Sequence, residues 1–291
     1  MIDSTGNEMQ KHVPPIGAFD VFGNPSSWDA SQTGYWVDIL NQRASSADQI
    51  TLRACILHQS RIKTGEVVLE LGCGTGRLLP DLAKSTGIEG CVYGLDPQPS
   101  FTKEAERFIQ EQKLDANVRV ILGRAEEIPL PDKSIDMCVA QTVLIHIPVN
   151  LLPNVFAEVK RVLKPGGKFV SVDQDGDTWI IDHPNRIVTR KIVQFNSDYR
   201  YADGWTGRYL RRIFKQNGFK EVNVSTWTHS DTECESFLHL MARRIANAAA
   251  EHDVISQEEV QNWLRELDKQ ALEGNFFSSI GYFCCQGVTI S

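Results

Sequence analysis

The residues best suited to chemistry follow a short apolar stretch, where one acid precedes three alternating glycines. The acid is Glu70, and the glycines are Gly72, Gly74 and Gly76. The apolar run before them predicts a buried parallel strand, and the amphipathic run 78–83 after them predicts a helix. A strand, a glycine turn and a helix in this order present backbone N–H groups and a helix N-terminus to a ligand.

Two classes of ligand compete for such a turn. A dinucleotide site requires G-x-G-x-x-G, but here the third glycine comes one residue early and Arg77 stands where that pattern has glycine. A carboxylate beside a pyrophosphate is repelled, whereas a carboxylate beside a cation is favourable. Glu70 therefore favours a ligand that carries positive charge.

This acid-x-G-x-G-x-G stretch resembles the first motif of the class I S-adenosylmethionine (SAM)-dependent methyltransferases. The resemblance implies that Glu70 lies near the amino end of the methionine portion of the cofactor. It also implies that Gly72, Gly74 and Gly76 allow the backbone to approach the cofactor closely.

A second predicted strand, 91–96, ends in Asp96, which lies 20 residues after Gly76. A carboxylate at the end of this strand can accept hydrogen bonds from both ribose hydroxyls of an adenosine-containing cofactor. We therefore predict that Asp96, together with Gln98, contacts the cofactor.

The segment 123–136 closely resembles the family pattern G-D-A-E-x-L-P-F-x-D-x-S-F-D. In the family, the acid before alanine contacts the adenine amino group and the alanine backbone contacts a ring nitrogen. This chain has Arg124 where Asp or Asn is usual. The resemblance therefore leaves Arg124, Ala125 and Glu126 as candidates for the adenine contact.

The fourth predicted strand, 135–140, leads into Gln141, a further candidate cofactor contact, and then to His146. Family members that methylate amide or exocyclic nitrogens carry N/D-P-P-Y here, and the run 141–144 disfavours that chemistry. His146 lies where the family often has a histidine near the acceptor, so it is a candidate substrate contact and general base. The alternative is a histidine that only packs between apolar neighbours.

The turn 161–167, R-V-L-K-P-G-G, is a further mark of the family and has a structural role. The acids that alternate through 173–177 raise the alternative of a calcium loop. An EF-hand requires Gly at its sixth and Glu at its twelfth position, where this chain has Thr178 and Pro184. We therefore predict no metal, and expect this loop and Trp179 to line the acceptor pocket.

The segment 19–62 is rich in aromatic residues and then turns to helical periodicity, which predicts two or three helices before the sheet. These helices either pack on the sheet or cap the cofactor cleft and bring Tyr35, Trp36 and Arg43 to the substrate. We predict a tail and helical cap over 1–62 and a catalytic domain over 63–291. Extra helical segments are expected at about 180–203 and 228–274.

Composition limits the class of partner. The 291 residues carry a net charge of −7 and only short basic clusters, which disfavours nucleic acid and favours a small molecule. The seven cysteines are odd in number and form no C-x-x-C motif, as expected of a reduced, cytoplasmic protein. The chain has no apolar run of membrane-spanning length, so no membrane insertion is expected. A homo-oligomer remains possible.

Together the motifs imply an α/β fold with a Rossmann-like, seven-stranded mixed sheet. The implied strand order is 3-2-1-4-5-7-6, with the last strand antiparallel. The chain most resembles the ubiquinone/menaquinone-biosynthesis subgroup, which includes natural-product tailoring enzymes of secondary metabolism. The implied reaction moves a methyl group from SAM to an O, N or C atom of a small apolar or aromatic metabolite. Methylation coupled to cyclisation and SAM used without methyl transfer stay open as alternatives, whereas Glu70 and Arg77 disfavour a nicotinamide-dependent oxidoreductase.

Overall fold

A computed structural model describes residues 14–23, 28–114 and 117–290, and its central feature is an eight-stranded mixed sheet. The strands are β1 (Val67–Leu71), β2 (Cys91–Asp96), β3 (Val118–Leu122), β4 (Ile135–Gln141), β5 (Leu163–Gln174), β6 (Ile180–Ile181), β7 (Lys220–Asp231) and β8 (Ser278–Val288). The helices are α1 (Ala30–Ser45), α2 (Ala47–Ser60), α3 (Leu79–Thr86), α4 (Pro99–Glu111), α5 (Leu152–Val162), α6 (Arg186–Tyr199), α7 (Thr206–Gln216), α8 (Phe237–Glu251) and α9 (Gln257–Leu272).

The first five strands are parallel and pair in the order β3-β2-β1-β4-β5. Strand β8 runs antiparallel between β5 and β7. In this register Glu70 of β1 lies between Gly94 of β2 and Val139 of β4. The carboxyl ends of these three central strands therefore meet at one edge, where ligands bind to open α/β sheets.

The prediction of seven strands was wrong by one, because Ile180 and Ile181 form the short strand β6. They pair with Ser278 and Ser279 on the same edge of β8 that β5 uses. When β6 is set aside, the order along the sheet is the predicted one, with its closing strand antiparallel. A two-residue strand is too short to show a period-two pattern in sequence.

Apolar residues of the sheet face two cores. Val68 belongs to a cluster that also includes residues of α2, α3, α6, α8 and α9, while Leu69 belongs to a cluster with residues of α5 and α7. Successive residues of a strand point to opposite faces, so one strand contributes to both cores. Helices therefore cover both faces of the sheet, as parallel strands require.

Two helices precede the sheet, as predicted. Asp29 begins α1 with a capping box, in which its side chain accepts from the Gln32 N–H and the Gln32 side chain accepts from the Asp29 N–H. The second helix, α2, packs against β5, β7 and β8. This packing fixes α1 above the carboxyl edge of the central strands, because only Ser46 separates the two helices.

The segment 228–274 is largely helical, as expected, but its first residues belong to a strand. Strand β7 extends through Asp231, and only then do α8 and α9 begin. Its last residues, Thr228 to Asp231, pair with β8 although their sequence is polar, because β8 offers them a backbone ladder. No helix in the described ranges combines the length and the apolar content of a membrane span.

Candidate active site

A cavity of about 300 Å³ opens at the carboxyl ends of β1, β2 and β4. Most of the predicted cofactor residues line it: Gly72, Gly74, Asp96, Gln98, Arg124, Ala125, Glu126 and Gln141. They come from several loops that are far apart in sequence, and the parallel sheet brings these loops to one edge. A cavity of this size, largely apolar with a few polar groups, is typical of a small-molecule site.

Glu70 lies beside this cavity, in an adjoining recess of about 90 Å³ that also includes Gly72, Gly74 and Gln141. The side chain is 3% exposed, and its Oε2 has no hydrogen-bond partner among the described residues. Burial, and then the nearby Asp96 carboxylate, raise the pKa of Glu70 well above its usual value. An unpaired buried carboxylate oxygen is costly, and a cationic ligand group would remove that cost.

Asp96 holds the glycine turn and the start of α4 together. Its Oδ2 accepts from the Gly74 N–H and its Oδ1 from the Gln98 N–H, both at 2.9 Å. The residue is 6% exposed, and burial raises its pKa to about 6 although both hydrogen bonds favour the charged form. Each carboxylate oxygen has a further lone pair, so Asp96 can also accept hydrogen bonds from a ligand diol.

The three glycines of the turn have positive φ angles of 62°, 53° and 78°. A Cβ at Gly72 would lie 2.6 Å from Val143 Cγ2, and one at Gly76 would lie 2.9 Å from Ala105 Cβ. A Cβ at Gly74 would meet only Leu40 Cδ1, at 3.6 Å. Packing therefore requires glycine at 72 and 76, whereas Gly74 is exposed to the cavity. Gly76 itself does not line either recess.

Arg124 does not replace the family's acid directly. Its guanidinium is largely exposed and donates to Glu126 Oε1 at 2.9 Å, while the Glu126 side chain is mostly buried. Both residues and the backbone of Ala125 line the cavity. Glu126 thus provides a carboxylate next to the place where the family's usual acid would stand.

Helix α1 forms the roof of the site. Leu40 and Arg43 line the large cavity, the Glu70 recess and a third recess of about 70 Å³. Trp36 lines only the third recess and is 9% exposed. Tyr35, one residue earlier, is 48% exposed and lines none of the three, because successive side chains of a helix point in directions about 100° apart.

His146 lines both the large cavity and the third recess. Its Nδ1 lies 2.9 Å from Asp20 Oδ1, and Asp20 also accepts from the N–H groups of Phe22 and Ala202. Because a carboxylate can only accept, the geometry assigns the imidazole proton to Nδ1. The other nitrogen, Nε2, then keeps its lone pair and can take a proton.

Thr142 lies where the large cavity and the third recess meet, and its φ of 57° is unusual for a β-branched residue. Its N–H donates to the Val172 carbonyl at 2.6 Å, and its Oγ1 accepts from Arg43 Nη2 at 2.8 Å. Strained backbone of this kind persists only where neighbouring contacts hold it.

The structure does not bring Trp179 to the cavity, contrary to expectation. It is 3% exposed, and its Nε1 donates to Ser278 Oγ at 3.0 Å within the core. The neighbouring acids are also engaged, since Asp173 accepts from the Ile145 N–H and Ser171 Oγ, and Asp175 pairs with Arg208. Gln174 of this loop nevertheless lines the third recess, whereas Asp173 and Asp175 are held by contacts that support β5.

One group of described residues has the composition of a metal site, and no pattern in the sequence indicated it. Asp48 of α2 and Asp231 of β7 lie 3.4 and 3.3 Å from His229 Nε2. At these distances the imidazole N–H is shared between the two carboxylates. Gln49 connects the buried His229 to Gln141 through its two amide atoms.

Several cavity residues escaped the sequence analysis, and most come from outside the motifs. They are Phe22, Leu40, Gln49, Thr142, Arg200, Tyr201 and Arg244. Phe22 belongs to the aromatic N-terminal run, which was the one available signal. Leu40, Arg200, Tyr201 and Arg244 depend on how α1, α6 and α8 fold back over the sheet. Gln49 comes instead from α2, and Thr142 from the loop after β4.

Comparison with known proteins agrees with this geometry. Residues 68–167 match a family described as a methyltransferase domain. A demethylmenaquinone methyltransferase from Listeria welshimeri is 30% identical over 200 residues, covering 69% of this chain and 80% of that protein. An uncharacterized 37.1 kDa protein in transposon TN4556 from Streptomyces fradiae is 30% identical over 247 residues, covering 84% and 68%.

Among solved structures, phosphoethanolamine N-methyltransferase 2 from Haemonchus contortus, in complex with S-adenosyl-L-methionine, has the same fold. Its TM-score is 0.58 at 19% identity, covering 97% of this chain and 61% of that one. The motifs, the strand order and the relatives thus agree. The chain belongs to the class I S-adenosylmethionine-dependent methyltransferases, of the ubiquinone/menaquinone-biosynthesis type.

Proposed function

We propose that this protein transfers a methyl group from SAM to an O, N or C atom of a small metabolite by in-line displacement. The observation that carries the proposal is the Oε2 of Glu70, which is buried next to the glycine turn and has no hydrogen-bond partner within the described ranges. A buried acid without a partner calls for a cationic ligand group, and the amino group of SAM is one. The alternative ligand of such a turn, a pyrophosphate, would be repelled by it.

The cofactor would be held by residues of the large cavity and the Glu70 recess. Asp96 would accept from the ribose hydroxyls with the lone pairs left free by Gly74 and Gln98. Gly74 would allow the closest approach of backbone, because a side chain there would fill the cavity. Ala125, with Arg124 and Glu126 beside it, would contact the adenine. When bound, SAM supplies an electrophilic methyl group on a sulfonium sulfur.

On the acceptor side, the protein's task is to orient a nucleophile and to exclude water. Phe22, Trp36 and Leu40 provide apolar surface around the recess that adjoins the cavity. Positioning two reactants in a dry site accelerates a displacement by several orders of magnitude. The aromatic lining supports an acceptor with an apolar or aromatic portion.

His146 would serve as the general base where the acceptor must lose a proton. Asp20 fixes its Nδ1–H, which leaves Nε2 as the basic nitrogen beside the cavity. The acceptor's proton would move to Nε2 as the new bond to the methyl carbon forms. Such proton transfer contributes about 10²- to 10⁴-fold in typical enzymes, and is dispensable for acceptors that are already deprotonated.

The structure also supports proposals about the protein's location, its division into domains and its metabolic role. Every described cysteine is free, which supports a reducing, cytoplasmic location. We propose a tail and helical cap over 1–62 and a catalytic domain over 63–291, because α1 covers the cavity that the sheet forms. A role in tailoring secondary metabolites is consistent with an acceptor pocket built mainly from residues outside the family motifs. The assembly of several copies into a homo-oligomer is compatible with this account.

The test is methyl transfer from SAM labelled with deuterium in its methyl group. The purified protein is incubated with a panel of phenols, quinols, amines and carboxylic acids, and products are analysed by mass spectrometry. A labelled, SAM-dependent product supports the proposal. A product that has cyclised, or a turnover that leaves the label on SAM, would contradict simple methyl transfer and favour one of the two alternative chemistries.

A further inference from the structure

Two arginines from separate parts of the chain line the third recess, on the proposed acceptor side. Arg200 caps the C-terminal end of α6, and Arg244 lies in α8. Neither of them lines the large cavity or the Glu70 recess. They are thus separate from the proposed cofactor contacts, unlike Arg43, which lines all three spaces.

Neither guanidinium has a carboxylate partner among the described residues. Arg200 donates from Nη1 to the Phe19 carbonyl at 3.3 Å, and its buried Nε has no partner in the part of the chain that the structure describes. Arg244 lies with its Cζ 5.5 Å from the centre of the Trp36 ring, and its buried Nε also has no hydrogen-bond partner within the described residues. The acids close enough to influence Arg200, Asp20 and Glu251, form no ion pair with it.

Buried polar side chains surround the two arginines, which gives the recess the composition of a binding site. Asn196 is 0% exposed, and its amide has no close hydrogen-bond partner in the described part of the chain, although it is near enough to the Tyr201 hydroxyl to interact with it. Next to it, the Tyr201 hydroxyl accepts from the Gln174 side chain. Buried donors without a hydrogen-bond partner lower the stability of the protein, unless a ligand accepts hydrogen bonds from them.

The charge balance of the recess is unfavourable without a ligand. Burial, and then the neighbouring charge of Arg244, lower the pKa of Arg200. Asp20 and Glu251 oppose this shift only in part. Partly buried charges of like sign destabilise a protein when no ion pair compensates them, and arginine remains charged in nearly all proteins. An anion between the two guanidinium groups would relieve both the desolvation and the repulsion.

We propose that the methyl acceptor carries an oxyanion, a carboxylate or a phosphate, which Arg200 and Arg244 bind while its apolar portion contacts Trp36. This inference rests on the proposed methyltransferase function and specifies its substrate class. Arginine suits the role because its planar fork of donors matches the geometry of both oxyanions. Binding the anion at the far side of the recess would direct the other end of the acceptor towards Thr142 and His146, where the two spaces meet.

The test is calorimetric titration of the protein loaded with S-adenosylhomocysteine (SAH), which occupies the cofactor side. The probes are phenyl phosphate, phenylacetate and the neutral 2-phenylethanol. We expect one or both anions to bind at least about tenfold more tightly than the alcohol, as for a hydrogen-bonded charged group. The tighter of the two anions distinguishes a phosphate from a carboxylate acceptor.

The variants Arg200→Gln and Arg244→Gln should each weaken the anionic probe about tenfold or more, since a charged hydrogen bond is lost. Arg190→Gln, which removes an exposed charge from the same helix α6, is the matched control and should change nothing. Arg200→Lys keeps the charge and should restore part of the affinity. Unchanged SAH binding in every variant shows that each one is folded.

Three results would overturn the inference: equal binding of the alcohol and the anions, absence of binding by both anions, or unchanged anion affinity in both Gln variants. With SAH still bound, each of these leaves the proposed methyl transfer standing. Failure of the wild-type protein to bind SAH would instead overturn the proposed function, and the inference with it.

Discussion

The two sides of the active-site cavity differ in origin and in charge. The cofactor side comes from loops directly after β1, β2, β3 and β4 and carries the buried acids Glu70 and Asp96. The proposed acceptor side comes largely from the N-terminal segment, α1, α6 and α8, and carries Arg200 and Arg244, which have no carboxylate partner among the described residues. The sheet thus determines the first side, whereas helices added around the sheet determine the second.

The difference in charge indicates how two ligands would be told apart. The acidic side would attract a cationic cofactor and the basic side an anion, so each ligand would be disfavoured in the other's place. His146 and Thr142 lie between them, where the reacting atoms would meet. Substitutions on either side of the cavity test this separation.

The sharpest contrast within the roof lies between Trp36 and Tyr35. Replacing the buried Trp36 by Ala should lower the free energy of unfolding by about 3–5 kcal/mol, because it leaves a cavity under α1. Replacing the exposed Tyr35 by Ala should cost less than about 1 kcal/mol. Urea denaturation measures both, and similar losses for the two variants would show that the roof is not organised around Trp36.

On the cofactor side, replacing Asp96 by Ala should weaken SAH binding by about 1–3 kcal/mol, since the ribose hydroxyls and two backbone N–H groups lose their acceptor. Calorimetry measures the change. Arg200→Gln is the matched comparison and should leave SAH affinity intact. If Asp96→Ala bound SAH as tightly as the wild type, Asp96 would not be a cofactor contact.

The buried charge of Asp96 should also appear in the pH dependence of stability. Its pKa is about 6 in the folded protein and about 3.9 in an unfolded chain, so the folded state holds this proton more tightly. Its contribution to stability is therefore present below about pH 4 and is lost as pH rises through about 6.

The variant Asp96→Asn isolates this effect, because Asn has no proton to lose. Measured by urea denaturation, the stability of the variant relative to the wild type should increase by roughly 1–2 kcal/mol between about pH 4.5 and about pH 7.5. If the difference in stability between variant and wild type did not change across this range, the pKa of Asp96 would be the same in the folded protein and in the unfolded chain.

The smallest expected effect concerns Asp20, which ties the N-terminal segment to the acceptor side. Asp20→Asn replaces one carboxylate oxygen by a donor, so one of the contacts with Phe22, Ala202 and His146 must be lost. Amide hydrogen exchange at Ala202 or Phe22 should become faster, because the free energy of local opening should fall by about 1 kcal/mol. Unchanged exchange at both amides would contradict this role for Asp20.

The cofactor side was largely predictable because its signals are local. Glu70, the glycine turn and Asp96 lie within a few residues of strand ends, and parallel strands bring such ends together whatever lies between them. The strand order followed from the same motifs, apart from the short β6. The positive φ values and the close approach of Val143 explain why two of the three glycines are needed.

The acceptor side was mostly unpredictable because its residues meet only after the added helices fold back. Trp36 and Tyr35 are neighbours in sequence, and only the rotation of α1 separates the buried ring from the exposed one. Trp179 follows a strand end, as the cofactor residues do, yet its ring is taken up by Ser278 and the core. Arg200 and Arg244 are far apart along the chain, and no motif or regular spacing links them.

The most direct test of the account is calorimetric titration of the wild-type protein with SAH, and in parallel with NADH. We predict micromolar binding of SAH and no binding of NADH, because Glu70 and the early third glycine suit a cationic ligand rather than a pyrophosphate. Binding of NADH alone, or of neither ligand, would contradict the assignment of the glycine turn and of the acids around it.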